Sequence, residues 1–294
     1  MLHAVIFGHT GQDGYYLSRM LLDKGIQVQG CSRTQTDCDI SNFEKVQNCI
    51  RTANPDYIFH LAANSTTRHD ALFDNHAAIA TGTSNILEAA RLHAPHARIF
   101  IAGSAMQFFN NGQPIDETTA FAPTSPYATA RIYATYQARY YRSAFGLKTY
   151  VGYFFNHDSP LRTEAHVNQK IAQAAMRIAA GSNEKLLLGN ISVRKEFMFA
   201  ADAVAAAWAL INQDSIFEAV IGTGQDYSIE DWVAQCFSCV GLTWQDHVLL
   251  REKYTPEYTR LVSNPARIHT LGWRPQFSFN ALARIMVKKD DCCL

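Results

Sequence analysis

The sequence predicts an α/β protein, a doubly wound parallel sheet with a smaller α/β lobe, and three observations predict it. Short β-rich runs alternate with helical patterns through the first half, a glycine-rich turn joins the first strand to the first helix, and the alternation loosens after Phe155. Such alternation requires right-handed βαβ crossovers, which leave neighbouring strands parallel. A chain of 294 residues, 48% hydrophobic and 18% charged, can bury one large core or a core with a lobe, which excludes a disordered or fibrous protein.

Residues 4–7 form the first strand, and apolar residues at helical spacing over 16–22 predict the first helix. Strands follow at Gln27–Cys31, 57–61, 99–102 and Lys148–Phe154, with helices over 79–92 and over 127–143, the latter begun by Ser125-Pro126. Beyond Phe155 the pattern predicts a helix near 167–180 and a strand at Leu186–Leu188. We expect residues 1–155 to form the sheet domain and 156–294 mainly the lobe, with a return segment near 191–222 because such a lobe need not be contiguous.

Lys plus Arg and Asp plus Glu number 26 each, so no global field draws in nucleic acid or an anionic membrane. Any phosphate recognition is therefore local, and the expected partner is small. The N-terminus reads as a strand rather than a signal peptide, and no stretch is long and apolar enough to span a bilayer. Seven cysteines is an odd count; Cys236 and Cys239 have C-x-x-C spacing without a second pair to complete a zinc site, and Cys292 and Cys293 sit in a polar tail. Reduced thiols, a cytoplasmic setting and no metal are the expectation.

The turn Gly8-His-Thr10-Gly11-Gln12-Asp13-Gly14 lies between strand and helix, where a Rossmann-type dinucleotide site has to lie. Gly8 is expected to permit the tight turn, Gly11 to let the backbone approach a pyrophosphate, and Gly14 to let the helix pack close to the sheet, with the helix N-terminus facing the anion. At the end of the second strand stand Ser32 and Arg33, where an NAD site would carry an acid. Arginine suits a 2′-phosphate, so NADP(H) is the expected cofactor, a solvated surface charge being the bland alternative. Asp39, Ile40, Leu61, Ala62, Ala63 and Ser65 fall at strand ends that line adenine and ribose in such folds.

Tyr127 and Arg131 are four apart in a helical pattern and share a face. A phenol with an ordinary pKa near about 10 serves as acid or base near neutrality only where a fixed cation stabilises the phenolate. Packing is the competing explanation on a helix that carries five tyrosines by Tyr141.

The runs TGQDGYYLSRMLLDKG, SPYA, FNHDSPLR, LLLGN, TGQDYS and LGWRP follow the order and spacing of one family. Over nearly its whole length the chain resembles the GDP-mannose 4,6-dehydratase family of extended short-chain dehydrogenases/reductases. The resemblance implies an extended Rossmann fold, bound NADP, a nucleotide-diphosphate sugar between the lobes, and a homo-oligomer, dimer or tetramer. The aromatic run from Tyr133 to Tyr141 could serve that association, an intramolecular core being equally open. By position, His157 and Arg162 would touch the cofactor, Asn156 would lie at cofactor and sugar, and Lys170 near the nucleotide diphosphate. Tyr127 and Arg131 match the family's Tyr-x-x-x-Lys, with arginine in place of the lysine that also holds the nicotinamide ribose.

Other departures bear on the reaction. Ser104 matches the hydroxyl that meets the sugar 4-oxygen, but Met106 stands where the dehydratases carry the glutamate that moves protons as water leaves. Gln107 would alternate to the opposite face if the strand continued. Lys195-Glu196-Phe197 keeps the charges of the family's Arg-Asp-aromatic run, whereas the family's Arg-Pro-x-Glu appears as Tyr254-Thr-Pro-Glu257 and loses its arginine unless Arg251 or Lys253 substitutes. Hydride chemistry at C4, as 4-keto reduction or epimerisation, is therefore expected, with Tyr127, Ser104 and Arg131 catalytic. A 4,6-dehydratase with a relocated acid and base is the alternative, and a nucleotide-sugar or NADP-binding protein with little turnover is the alternative of another class.

Overall fold

The computed structural model describes residues 1–33, 36 and 38–288. Five strands, β1 (His3–Phe7), β2 (Gln27–Cys31), β3 (Tyr57–His60), β4 (Arg98–Ser104) and β5 (Lys148–Phe154), and a sixth, Glu218–Ile221, form one sheet in the order β2-β1-β3-β4-β5-sixth. Every pairing in it is parallel. The strand order reverses between β1 and β3, and ligands of open α/β sheets lie outside the carboxyl ends of the strands at such a point.

Both faces of the sheet are covered, as continuous apolar strands such as Ala4–Val5–Ile6–Phe7 require. Alternate side chains go to opposite cores. Ala4 and Ile6 join Leu17 and Leu21 of the helix Gln12–Asp23 and Ala203 and Val204 of Ala200–Ile211. Val5 and Phe7 join Val46 and Ile50 of Phe43–Ala53, Ile86 and Leu87 of Gly82–His93, and Ala134 of Pro126–Phe145. The first helix starts at Gln12, four residues before the apolar pattern begins, because the glycine turn itself leads into its first turn.

The helix Pro126–Phe145 shows why its ends fall where they do. The Ser125 side chain accepts from the Ala128 N–H at 3.1 Å, Pro126 takes a first-turn position that needs no donor, and Gly146 at φ 68° ends the helix in the left-handed region. Along it Tyr133, Tyr136 and Tyr140 are 45%, 56% and 53% exposed, so these rings are not core.

Beyond β5, the helices Val167–Ala179, Ile229–Ser238 and Phe279–Lys288 pack together around the fully buried Trp232, whose Nε1 donates to the Asn168 carbonyl at 3.1 Å. Short strands complete this lobe: Asp226–Ser228, Arg194–Glu196 and Arg260–Leu261 in one sheet, Leu186–Leu188 with Val248–Leu250 in another. The chain interleaves, because Ala200–Ile211 covers the sheet and Glu218–Ile221 forms its edge. No helix among the described residues is long and apolar enough to cross a membrane. Cys292 and Cys293 lie outside the described residues.

Candidate active site

Gly8 turns at φ +93°, and a Cβ there would stand 2.6 Å from the Ala62 backbone nitrogen, so the turn after β1 and the loop after β3 meet backbone to backbone. At Gly14 a Cβ would stand 2.3 Å from the Gly8 carbonyl oxygen and 2.4 Å from the His9 Cα. The approach expected between helix and sheet is thus an approach of the helix to its own preceding turn. Gly11 differs from both: a Cβ there meets only the Gly8 oxygen, at 3.4 Å.

Gly8 and Gly11, but not Gly14, border a cleft of about 480 Å³ at the reversal point. Gly8, Thr10 and Gly11 come from the end of β1, Ser32 and Arg33 from the end of β2, and Leu61, Ala62 and Ala63 from the end of β3. Asp39 and Ile40 close it. Asp39 Oδ1 accepts from the Ser41 hydroxyl at 2.7 Å and N–H at 3.0 Å, and these bonds, with Arg33 adding a smaller attraction, hold its carboxyl below the usual range. Arg33 is exposed.

Gln12 and Asp13 point the other way, to the segment after β5. Asp13 Oδ1 lies 2.9 Å from His157 Nε2, the Ser159 hydroxyl donates to Gln12 Oε1 at 2.8 Å, and His157 Nδ1 lies 2.8 Å from the Phe155 carbonyl oxygen. Both imidazole nitrogens are engaged by protein. Arg162 donates to the His157 carbonyl at 3.2 Å and sits 3.8 Å from Asp158. Burial alone would push the Asp13 carboxyl up, but His157, and Arg162 behind it, bring it down to about 2. Burial works against a charged His157 as well, and Asp13 more than offsets it, so the imidazole pKa is raised.

Ser104, Met106, Tyr127, Arg131, Asn156 and His157 line a neighbouring cavity of about 210 Å³, and Asp13, Ser65 and Arg162 border it too. Leu61 lies on both this cavity and the cleft, so the two adjoin. The strand ends at Ser104, whose side chain accepts from the Met106 N–H at 3.2 Å. Gln107 therefore does not alternate outward: a 3₁₀ turn, Ala105–Gln107, folds its amide back to accept from the Ser104 N–H at 2.9 Å, buried, with Thr135 Oγ1 at 3.1 Å on its other end. Met106 is left facing the cavity.

Arg131 is 4% exposed and forms no ion pair among the described residues. It donates through Nη1 to the Ala102 carbonyl, leaves Nε without a partner, and holds its guanidinium carbon 5.2 Å from the Tyr127 ring centroid. Burial, with Arg131 nearby, pulls the His60 imidazole down to about 3, so His60 is neutral at physiological pH. Asp13 is the one carboxylate on this cavity among the described residues, and it is committed to His157.

Two further cavities lead into the lobe. One of about 520 Å³ has Met106 and Glu257 on its wall, with the Thr67 hydroxyl donating to Glu257; the next, of about 470 Å³, has Lys170, Lys195, Glu257 and Tyr254. Burial pulls the Lys195 ammonium down to about 8 against the attraction of Asp158. Lys170 donates to the Leu187 carbonyl at 2.9 Å. Glu196 does not share this cavity; fully buried, it accepts from the backbone of Ser263, Thr223 and Gly224 and so holds two loops together.

The family profile described as GDP-mannose 4,6 dehydratase matches residues 34–286. This chain belongs to that family. It is 32% identical over 321 residues to GDP-mannose 4,6 dehydratase 1 of Arabidopsis thaliana, covering 98% of this chain and 89% of the relative, and 30% identical to GDP-mannose 4,6-dehydratase of Sinorhizobium fredii, covering 98% and 96%. Among solved structures, the RMD of Pseudomonas aeruginosa complexed with NADPH superposes at a TM-score of 0.88 with 18% identity over the full length of both chains. The UDP-glucose 4-epimerase of Thermotoga maritima with UDP-glucose superposes at 0.87 with 16% identity, covering 98% of each. These likenesses show the extended Rossmann fold.

Sequence reasoning missed several residues of the site. Thr66 and Thr67 line the cavity of Ser104 and Tyr127 from the loop after β3, and His166 lies against Arg162 at 3.1 Å. Tyr258, beside Glu257, hydrogen-bonds Asn156, and burial pushes its phenol up to about 12. Ser159 carried a signal, since it belongs to the same FNHDSPLR run as His157; the threonines carried none, being ordinary loop residues until the lobe folds over them.

Proposed function

We propose that the protein binds NADP(H) in the cleft at the strand reversal and exchanges hydride with C4 of a nucleotide-linked sugar, reducing a 4-keto sugar or epimerising at C4 rather than eliminating water. The observation that carries this reading is a catalytic cavity that holds Ser104, Tyr127 and Arg131 and offers no uncommitted carboxylate, Met106 standing at the acid's position. A thioether carries no proton, and elimination needs a titratable group beside the tyrosine.

The residues fit a dinucleotide: a Cβ at Gly11 would meet only the Gly8 oxygen, at 3.4 Å, so a ligand can approach the backbone there, and Arg33 on the same cleft suits a 2′-phosphate. Gly8, Gly11 and Arg33 would hold the dinucleotide there, and it would supply the hydride chemistry. Ser104, whose oxygen already accepts from Met106, keeps its O–H to donate to the sugar oxygen. Tyr127 moves the hydroxyl proton, and the Arg131 guanidinium lies 5.2 Å from the centroid of its ring. Lys170 and Lys195 supply the positive charge for a diphosphate in the lobe. The exposed Tyr133, Tyr136 and Tyr140 support self-association as a dimer or tetramer.

One observation favours a second reading. Glu257 shares a cavity with Met106, so a relocated acid for 4,6-dehydration has a candidate.

Mass spectrometry after incubation with NADP(H) and a panel of nucleotide sugars, GDP-mannose and 4-keto-6-deoxy sugars included, separates these readings. Gain of two hydrogens, or an isomer of unchanged mass, supports C4 chemistry. A tyrosine-dependent product lighter by one water overturns it in favour of the second reading, and tight binding with no conversion of any sugar marks a binding protein.

A further inference from the structure

Three cysteines that the sequence separates by seven and eleven residues converge beside the dinucleotide cleft. Cys31 ends β2, Cys38 lies in the loop after it, and Cys49 lies on the helix Phe43–Ala53; their sulfurs all fall within 4.8 Å of one another, with Cys31 Sγ and Cys49 Sγ at 2.9 Å. None is in a disulfide. The spacing contains no C-x-x-C, so only the folded chain reveals the cluster.

We propose that Cys31, Cys38 and Cys49 form a three-thiolate site for a soft divalent cation of the Zn²⁺ class. Zinc–sulfur bonds of about 2.3 Å hold sulfurs about 3.8 Å apart on a tetrahedral ion, so the cluster meets this geometry with shifts of under about 1 Å. Three soft donors from three elements suit one thiophilic ion, whereas a disulfide would use two of them and require an oxidant. Binding is redox-neutral: three S–H groups release protons to solvent as three sulfur–metal bonds form, and a water completes the tetrahedron.

The surroundings suit a bound cation. Gln29 Nε2 donates to Cys49 Sγ at 3.4 Å, the kind of hydrogen bond that orients a metal-bound sulfur. Lys45 lies close enough to Cys38 to attract a negative charge on the cluster. That ammonium offsets the single negative charge left by three thiolates on a divalent ion. The ion would tie β2, its helix and the loop carrying Asp39 and Ile40, and so brace one wall of the cleft.

The test uses untagged full-length chain with Cys292→Ser and Cys293→Ser, so that tail thiols do not compete, stripped with chelator under reductant. Titration with Co²⁺ is expected to reach one ion per chain, to give thiolate-to-cobalt charge-transfer absorption, to release protons and to be reversed by Zn²⁺. Cys38→Ser and Cys49→Ser should each weaken binding by about tenfold or more, whereas Cys236→Ser, a buried cysteine in the other lobe, should not. The parent titration requires no variant of the cluster to fold, and circular dichroism checks those that are made. Absence of the charge-transfer band overturns the site, as does a band that survives Cys49→Ser in folded protein. A Cys31–Cys49 disulfide in chain that takes up no metal overturns it in favour of thiol oxidation.

Discussion

Asp13 Oδ1 and His157 Nε2 lie 2.9 Å apart across 144 residues of sequence, so the glycine turn and the segment after β5 are one unit. The two shifts set opposite pH limits on its contribution. A carboxyl lowered from 3.8 to about 2 gives stability that is present above its unfolded value and lost as pH falls through its folded one. The raised imidazole gives stability present below its unfolded value of 6.5 and lost as pH rises through its folded value. Asp13→Asn is therefore expected to destabilise most between about pH 4 and pH 6.5, by about 2 kcal/mol, and less once pH has risen through the raised value of His157. Denaturant unfolding of both proteins across this range is the check; a constant difference would detach the pair from stability.

Gly14→Ala and Gly11→Ala should part company. A methyl at Gly14 meets the backbone of Gly8 and His9, which cannot move aside cheaply, so a loss of several kcal/mol, about 3 or more, is expected. At Gly11 the methyl meets little protein, and the fold should survive with stability within about 1 kcal/mol while dinucleotide affinity falls. Thermal melts and fluorescence titration with NADPH read the two effects. Retained NADPH affinity in Gly11→Ala would remove the pyrophosphate from this turn.

Arg33 stands at the mouth of the cleft with no acid in the position that reads a free 2′-hydroxyl. NADP(H) should bind more tightly than NAD(H), and Arg33→Ala should narrow the gap by about 1 to 3 kcal/mol, the scale of charge-assisted hydrogen bonds. Equal affinities in the unmodified protein would refute the cofactor assignment.

Tyr127→Phe keeps the ring against Arg131 and removes the hydroxyl that the proposed mechanism uses to carry the proton. Turnover should fall by about a hundredfold or more with NADPH affinity nearly unchanged. Undiminished turnover would take Tyr127 out of the mechanism.

Arg131→Lys restores the residue found in the short-chain family and should leave activity equal or higher. A large loss in folded protein would show that the bond to the Ala102 carbonyl and the wider guanidinium are required here.

Local rules were enough to reveal the sheet and the glycine turn after its first strand. Alternation of period 2 and helical spacing of apolar residues are properties of short segments, and a glycine's freedom at positive φ, as at Gly8, needs no distant partner to be recognised. The Ser125-Pro126 start and the Tyr127–Arg131 spacing are local for the same reason, and the whole-length motif order established the family before any coordinates. What tertiary structure decided depends on contacts between remote segments. Gln107 folds inward because a capping turn outcompetes strand continuation, and Gly14 is required by its own turn rather than by the sheet. The commitment of Asp13 to His157, the burial of Glu196 away from the lobe cavity, and the meeting of Cys31, Cys38 and Cys49 all arise when packing brings distant side chains within bonding range, a distance that no sequence spacing encodes.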